Sequence, residues 1–215
     1  MSEMEHQFEH KKTFRYQQTH ANEQVEKVLY ALHGYGQLVE FFIRKFKSTP
    51  EDLLIVAPEG MHRFYLNGTS GRVGASWMTK NGRDADIADT ISYLNELDKQ
   101  ISAKYPIKKR YLLGFSQGGA TAARWEQLGS VTFDGMLLWA CIFPPDLPIE
   151  ASLASKNTNH FFAIGTRDQY YQEDAQQELM EYYRGIGYQI THYEGTHELV
   201  NETLTKIISQ IERKS

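Results

Sequence analysis

Six short apolar runs punctuate the chain: VLYALHG at 28–34, LLIVAPEG at 53–60, YLLGF at 111–115, MLLWACIF at 136–143, HFFAIG at 160–165 and the alternating YQITHYEG at 188–195. Runs this short and this apolar predict strands covered on both faces, as in a parallel sheet. Between them lie segments with helical spacing. Residues 37–47 offer Leu38, Phe41, Phe42 and Phe46, and residues 84–105 place Ile87, Ile91, Leu94, Leu97 and Ile101 on one stripe ahead of Pro106. Residues 120–128 and 174–183 follow. The last helix, at 200–211, carries Val200, Leu204, Ile207, Ile208 and Ile211 on one side. Strand alternating with helix throughout predicts an α/β fold, a mostly parallel central sheet with helices on both faces and right-handed crossovers. Its 215 residues suit one domain, 1–215.

Two segments break the alternation. Residues 8–24 are polar and suit an edge strand or a hairpin. Residues 59–82 form a long Gly-rich connection that holds Phe64, Tyr65, Trp77 and Met78. A loop of that length is either functional or pinned by its own aromatics.

Composition narrows the chemistry. The net charge of −4 is mild, and the one basic run, Lys108-Lys109-Arg110, reads as the lead-in to a strand. The aromatics, 13% of residues, have no basic stripe beside them, so no nucleic-acid partner is expected. No stretch reaches the roughly 20 apolar residues of a membrane span, and the polar start has no secretory h-region, which suits a cytoplasmic protein. The sequons at Asn67 and Asn201 matter only in a secreted chain. A single cysteine, Cys141, excludes an intrachain disulfide and thiolate clusters. His197-Glu198 begins like a zinc-binding H-E-x-x-H but lacks the second histidine. Gly34-x-Gly36 lacks the third glycine of a dinucleotide loop, and no phosphate loop is present. No metal and no cofactor are expected.

One motif carries chemistry. Gly114-Phe115-Ser116-Gln117-Gly118 reads G-x-S-x-G between a strand and a helix. A turn that sharp strains the serine, and glycines two positions away remove the collisions. The hydroxyl then projects at the carboxyl edge of the sheet, where open α/β sheets bind ligands. Serine needs a base, and in this arrangement the order is serine, acid, histidine. Of the downstream histidines, His160 begins a strand and is expected to face solvent, and His192 lies on a sheet face. His197, in EGTHEL, occupies the loop on the right edge. Asp168, in GTRDQYY, is the expected acid, with Asp146 in PPDLP as its competitor. The expected oxyanion donors are the N–H groups of Gln117 and of Tyr35, in the HGYG loop after an early strand. His33, which precedes the serine, is read as a support for that loop. A neutral histidine base predicts activity that rises with pH through roughly 6–7.

Together LHGYG, APEG, the SW at 76–77, GFSQGG, a G-x-x-D loop and GTHEL resemble the phospholipase/carboxylesterase and acyl-protein thioesterase family of α/β-hydrolases. The resemblance covers nearly the whole chain. It implies hydrolysis of small-molecule carboxylic esters or thioesters, no cofactor and no separate lid domain. It assigns Ser116, Asp168 and His197 to a catalytic triad and Tyr35 and Gln117 to the oxyanion hole. The chain departs from the family at Gln37, where an acid is usual, and at Trp139, in place of a small L-S-G motif. It departs again at Tyr170 and Tyr171, where Val-Pro is usual. With Phe64, Tyr65, Trp77, Met78 and Phe143, these two tyrosines are candidate pocket walls. A small serine peptidase or amidase, and an inactive hydrolase fold used for binding, are the alternatives. A homodimer is open to the chain, but no feature demands one.

Overall fold

The computed structural model describes residues 4, 6–19, 22–148 and 159–214. Its frame is a seven-stranded sheet, built from β1 (Tyr16–Gln18), β2 (Lys27–Leu32), β3 (Leu53–Pro58), β6 (Lys109–Phe115), β7 (Gly135–Trp139), β8 (Asn159–Gly165) and β9 (Gln189–Tyr193). The order is β1-β3-β2-β6-β7-β8-β9, parallel throughout except for β1, which runs antiparallel along β3. The expected edge element at 8–24 is thus the short strand β1, although His20 and Ala21 of that range lie outside the described residues. The buried carboxylate of Glu59 docks the lead-in to β1, accepting from Arg15 Nε at 2.6 Å and Nη2 at 2.9 Å.

Why the strands read as unbroken apolar runs is clear from the two cores. Val28, Tyr30 and Leu32 of β2 pack on one side with Leu94, Leu97 and Trp125. Leu29 and Ala31 pack on the other side with Phe42, Leu204 and Ile207. Helices cover both faces, so each residue of a period-two strand meets apolar atoms. The helices are α1 (Val39–Phe42), α2 (Arg83–Lys104), α3 (Gln117–Leu128), α4 (Glu173–Gly185) and α5 (Asn201–Lys214). The α2 stripe holds as read, with Ile91, Leu94, Leu97 and Ile101 buried.

Three readings need correction. The helix expected at 37–47 is one α turn, α1, followed by a 3-10 turn at Ile43–Phe46. Its N-cap residue, Leu38, offers no side-chain cap, the Val39 N–H donating instead to Glu59 Oε2 at 3.3 Å, and Val39, Phe42 and Phe46 reach the core without a longer helix. The strand expected over 136–143 ends at Trp139, because Ala140 turns to φ 49° and leaves the extended region. The 59–82 segment carries a hairpin of its own, β4 (His62–Tyr65) with β5 (Val73–Ser76), tied to Gln37 by a bridge at Ala75.

The register decides what meets at the carboxyl edge. Leu32 pairs with Gly114, and β6 runs one residue further, so residues 33–36 and 116–118 leave the sheet side by side. Gly165 pairs with Tyr193, so the loops that carry residues 166–170 and 194–197 do the same. Among the described residues no helix is long and apolar enough to cross a membrane.

Candidate active site

Ser116 stands between β6 and α3 with φ 52° and ψ −121°, a conformation that costs a non-glycine residue of order 1–3 kcal/mol. Its neighbours explain how the strain is held. A Cβ on Gly114 would sit 2.5 Å from Gly118 O and from Gly119 Cα. One on Gly118 would sit 2.4 Å from Leu32 O, and one on Gly119 would sit 2.3 Å from Cys141 Sγ. The glycines of GFSQGG are therefore positions of close contact between the helix and the strand ends around the serine. The Ser116 N–H is tied to Trp139 O at 2.8 Å, which anchors the turn to the next strand.

Two loops bring the other polar groups to this edge. Thr166 and Arg167 donate their N–H groups to Tyr193 O and Gly195 O, each at 2.8 Å, which zips the 166–170 loop to the 194–197 loop. Asp168, buried, then contacts His197: Nδ1 to Oδ2 is 2.7 Å. The second carboxylate oxygen accepts the N–H of Tyr170 at 2.9 Å. With both oxygens accepting, the network places the imidazole proton on Nδ1 and leaves Nε2 free to act as a base. The His197 ring lies 5.0 Å from Phe115 and 4.5 Å from Tyr170. Its backbone N–H donates to Gln169 Oε1 at 3.2 Å, a contact no sequence signal announces. Among the described residues the Ser116 hydroxyl makes no hydrogen bond to His197; Phe115, the residue before the serine, is what lies against the imidazole.

The HGYG loop faces the same turn. A Cβ on Gly34 would stand 3.2 Å from Ser116 Cβ. Neighbouring N–H groups of this loop are occupied: Gly34 donates to Gln37 Oε1 at 2.9 Å and Gly36 to Ala75 O at 2.8 Å. Among the described residues the N–H groups of Tyr35 and of Gln117 have no acceptor. Gln37, which departs from the usual acid, thus holds the loop with its amide oxygen.

His33 is fully buried, donating from Nδ1 to Gly34 O at 2.7 Å and accepting the Gly60 N–H on Nε2 at 2.9 Å. Burial pushes its pKa down to about 4. The unfolded chain therefore takes up a proton near pH 6.5 that the folded chain refuses until about pH 4. The stability tied to His33 is present in full above about pH 6.5 and is lost as pH falls towards 4, about 3 kcal/mol in all. Urea midpoints should drop over that interval in the native chain and drop less steeply in His33→Asn. Equal slopes would remove His33 from the account.

Asp146 does not compete with Asp168. Its carboxylate is held by Arg124, with Nη2 at 2.7 Å and Nε at 2.9 Å, and by Arg83. Hydrogen bonding from Arg124 keeps its pKa far below the ordinary carboxylate range. His160 does not face solvent as expected; it is buried, with Nε2 3.0 Å from Glu126 Oε1. His192 lies exposed on the sheet edge, 3.0 Å from Gln176 Oε1.

The expected pocket walls divide. Tyr170 is 71% exposed beside His197, and Tyr35, the expected oxyanion donor, is 61% exposed. Tyr35 leans on Phe64, with ring centroids 5.0 Å apart, and Tyr65 is exposed on the hairpin. Tyr171 is half-buried, 6.3 Å from the His197 ring. Trp77 and Phe143 are core residues rather than open walls: Trp77 donates Nε1–H to His33 O at 2.8 Å, and Phe143 packs on Tyr183. Met78 is half-buried, with its sulfur against Arg124.

The fold has many solved counterparts. The chain superposes on acyl-protein thioesterase 2 of Zea mays with a TM-score of 0.71 at 14% identity, covering 93% of this chain and 98% of that one. It superposes on the Bacillus cereus carboxylesterase with a TM-score of 0.68 at 16% identity, covering 94% and 95%. At such identities the likeness is one of fold. No curated protein matches the chain. The family model described as Phospholipase/Carboxylesterase matches residues 17–215, and the chain belongs to that family of α/β-hydrolase enzymes, of the esterase and thioesterase type.

Proposed function

We propose that the protein is a serine hydrolase that cleaves carboxylic esters or thioesters through an acyl-enzyme on Ser116. The observation that carries the reading is the 2.7 Å contact of Asp168 with His197 on the loops beside the strained Ser116 turn. His197 Nε2 takes the Ser116 proton as Oγ bonds to the carbonyl carbon. The carbonyl π electrons move onto oxygen, where the N–H groups of Tyr35 and Gln117 receive the charge. When the intermediate collapses, the C–O or C–S bond breaks, and the leaving alcohol or thiol takes the proton from His197. Water then repeats the sequence: its proton goes to His197, the acyl–Oγ bond breaks, and the acid and free Ser116 are released. Asp168 orients the imidazole and stabilises its cation without itself being protonated. The exposed ring of Tyr170, 4.5 Å from the His197 ring, is the aromatic group placed to meet an acyl or leaving group.

The test is a panel of p-nitrophenyl esters from acetyl to palmitoyl, with intact-protein mass measured during turnover. The expected result is ester cleavage with a transient mass gain of one acyl group, mapped to the peptide that holds Ser116. Cleavage of amides but of no ester or thioester, or an acyl group carried on another residue, would overturn it.

A further inference from the structure

The two N–H groups proposed for the oxyanion hole belong to loops from different strands. Something must set their spacing, because a displacement of about 1 Å at such a site can cost 100-fold in rate. A continuous chain of hydrogen bonds joins them. The Gln117 side chain donates from Nε2 to Ser76 Oγ at 2.9 Å and to Met78 O at 3.0 Å, and its Oε1 accepts the Trp77 N–H at 3.2 Å. The buried Trp77 indole then donates to His33 O at 2.8 Å, with its ring 5.0 Å from the His33 ring. His33 in turn donates to Gly34 O at 2.7 Å. In a planar trans peptide the C=O and the following N–H point in opposite directions, so holding Gly34 O aims the Tyr35 N–H.

We propose that the Gln117 amide and the Trp77 indole are positioning residues that lock the Tyr35 and Gln117 N–H groups into register as one oxyanion hole. Neither side chain touches the reacting atoms; both act through backbone. The inference rests on the Ser116 acyl-enzyme reading.

Trp77→Phe keeps the ring in the core and removes only the indole N–H. Gln117→Met keeps the length and removes every amide bond, whereas Gln117→Glu restores an acceptor for the Trp77 N–H. The readouts are kcat and KM on one p-nitrophenyl ester, the thermal midpoint, and the affinity of a trifluoromethyl ketone, whose hemiketal oxyanion would occupy the hole. Trp77→Phe should lower kcat about 10-fold and Gln117→Met about 10- to 100-fold, with KM within about two-fold. Ketone affinity should fall by the same factor as kcat/KM. Gln117→Glu should recover part of the loss, and the double variant should lose less than the product of the single losses. Folded variants with kcat within about two-fold of native, or with lowered kcat and unchanged ketone affinity, would overturn the proposal. If Trp77→Phe does not fold, the two Gln117 variants decide. Full activity in Ser116→Ala would instead remove the acyl-enzyme reading itself, which separates the two failures.

Discussion

Asp168→Asn is expected to lower kcat/KM for p-nitrophenyl esters by about 10,000-fold, and Ser116→Ala by at least as much. The serine change removes the proposed nucleophile and leaves only what binding and the proposed oxyanion donors supply. The aspartate change is more informative, because its shape is preserved. The Tyr170 N–H lies 2.9 Å from Asp168 Oδ1 and still needs an acceptor, so the amide oxygen of the asparagine stays on that side. The amide NH2 then faces His197 Nδ1 at the position where Oδ2 now stands 2.7 Å away. Two donors cannot share that contact. Nδ1 must give up its proton and become an acceptor, which moves the ring proton to Nε2. The imidazole is then in the wrong tautomer to accept a proton from Ser116. Steady-state rates with folded protein check this, and an Asp168→Asn variant within about ten-fold of native would show that His197 does not depend on Asp168.

Gly118→Ala should destabilise the chain by about 3 kcal/mol and lower the activity of the folded fraction by about 100-fold. The added methyl would come within 2.4 Å of Leu32 O and 2.5 Å of His33 O. Both are backbone atoms at the end of β2, so relief requires moving either α3 away from the sheet or the HGYG loop away from Ser116. The first opens the core; the second displaces the Tyr35 N–H. Gly185→Ala is the matched control, since a Cβ there meets nothing within 4 Å. Urea titration of both variants checks the contrast. Equal stability would mean that the close approach of α3 to β2 is softer than its geometry implies.

Much of the site is legible before any coordinates, and particular residues show why. Ser116 announces itself because the chemistry proposed for it needs a local device, a strained turn flanked by glycines, and local devices leave local sequence marks. The positions of Asp168 and His197 follow from strand ends and chain order, which topology constrains. Trp77 reads differently along the chain, as a pocket wall. Its indole is sealed in the core against His33, and burial of an aromatic depends on what packs over it, which spacing does not encode. His160 is expected to face solvent because it begins a strand, yet Glu126 on α3 supplies a buried partner. Gln169 and the amide of Gln37 carry no signal, since a glutamine's role is set by the backbone groups within its reach.

The alternation of apolar strands and amphipathic helices, with the glycines around Ser116, determined the sheet, its helical cover and the strained Ser116 turn. These follow from periodicity and sterics, both local properties of the chain. Only the tertiary structure decided the register of Leu32 beside Gly114, which sets the HGYG loop against Ser116. It alone decided that Asp146 is taken by Arg83 and Arg124 while Asp168 is left for His197. Those outcomes depend on groups distant in sequence arriving within hydrogen-bond reach, where interaction energies change over tenths of an ångström and no pattern along the chain records the distance.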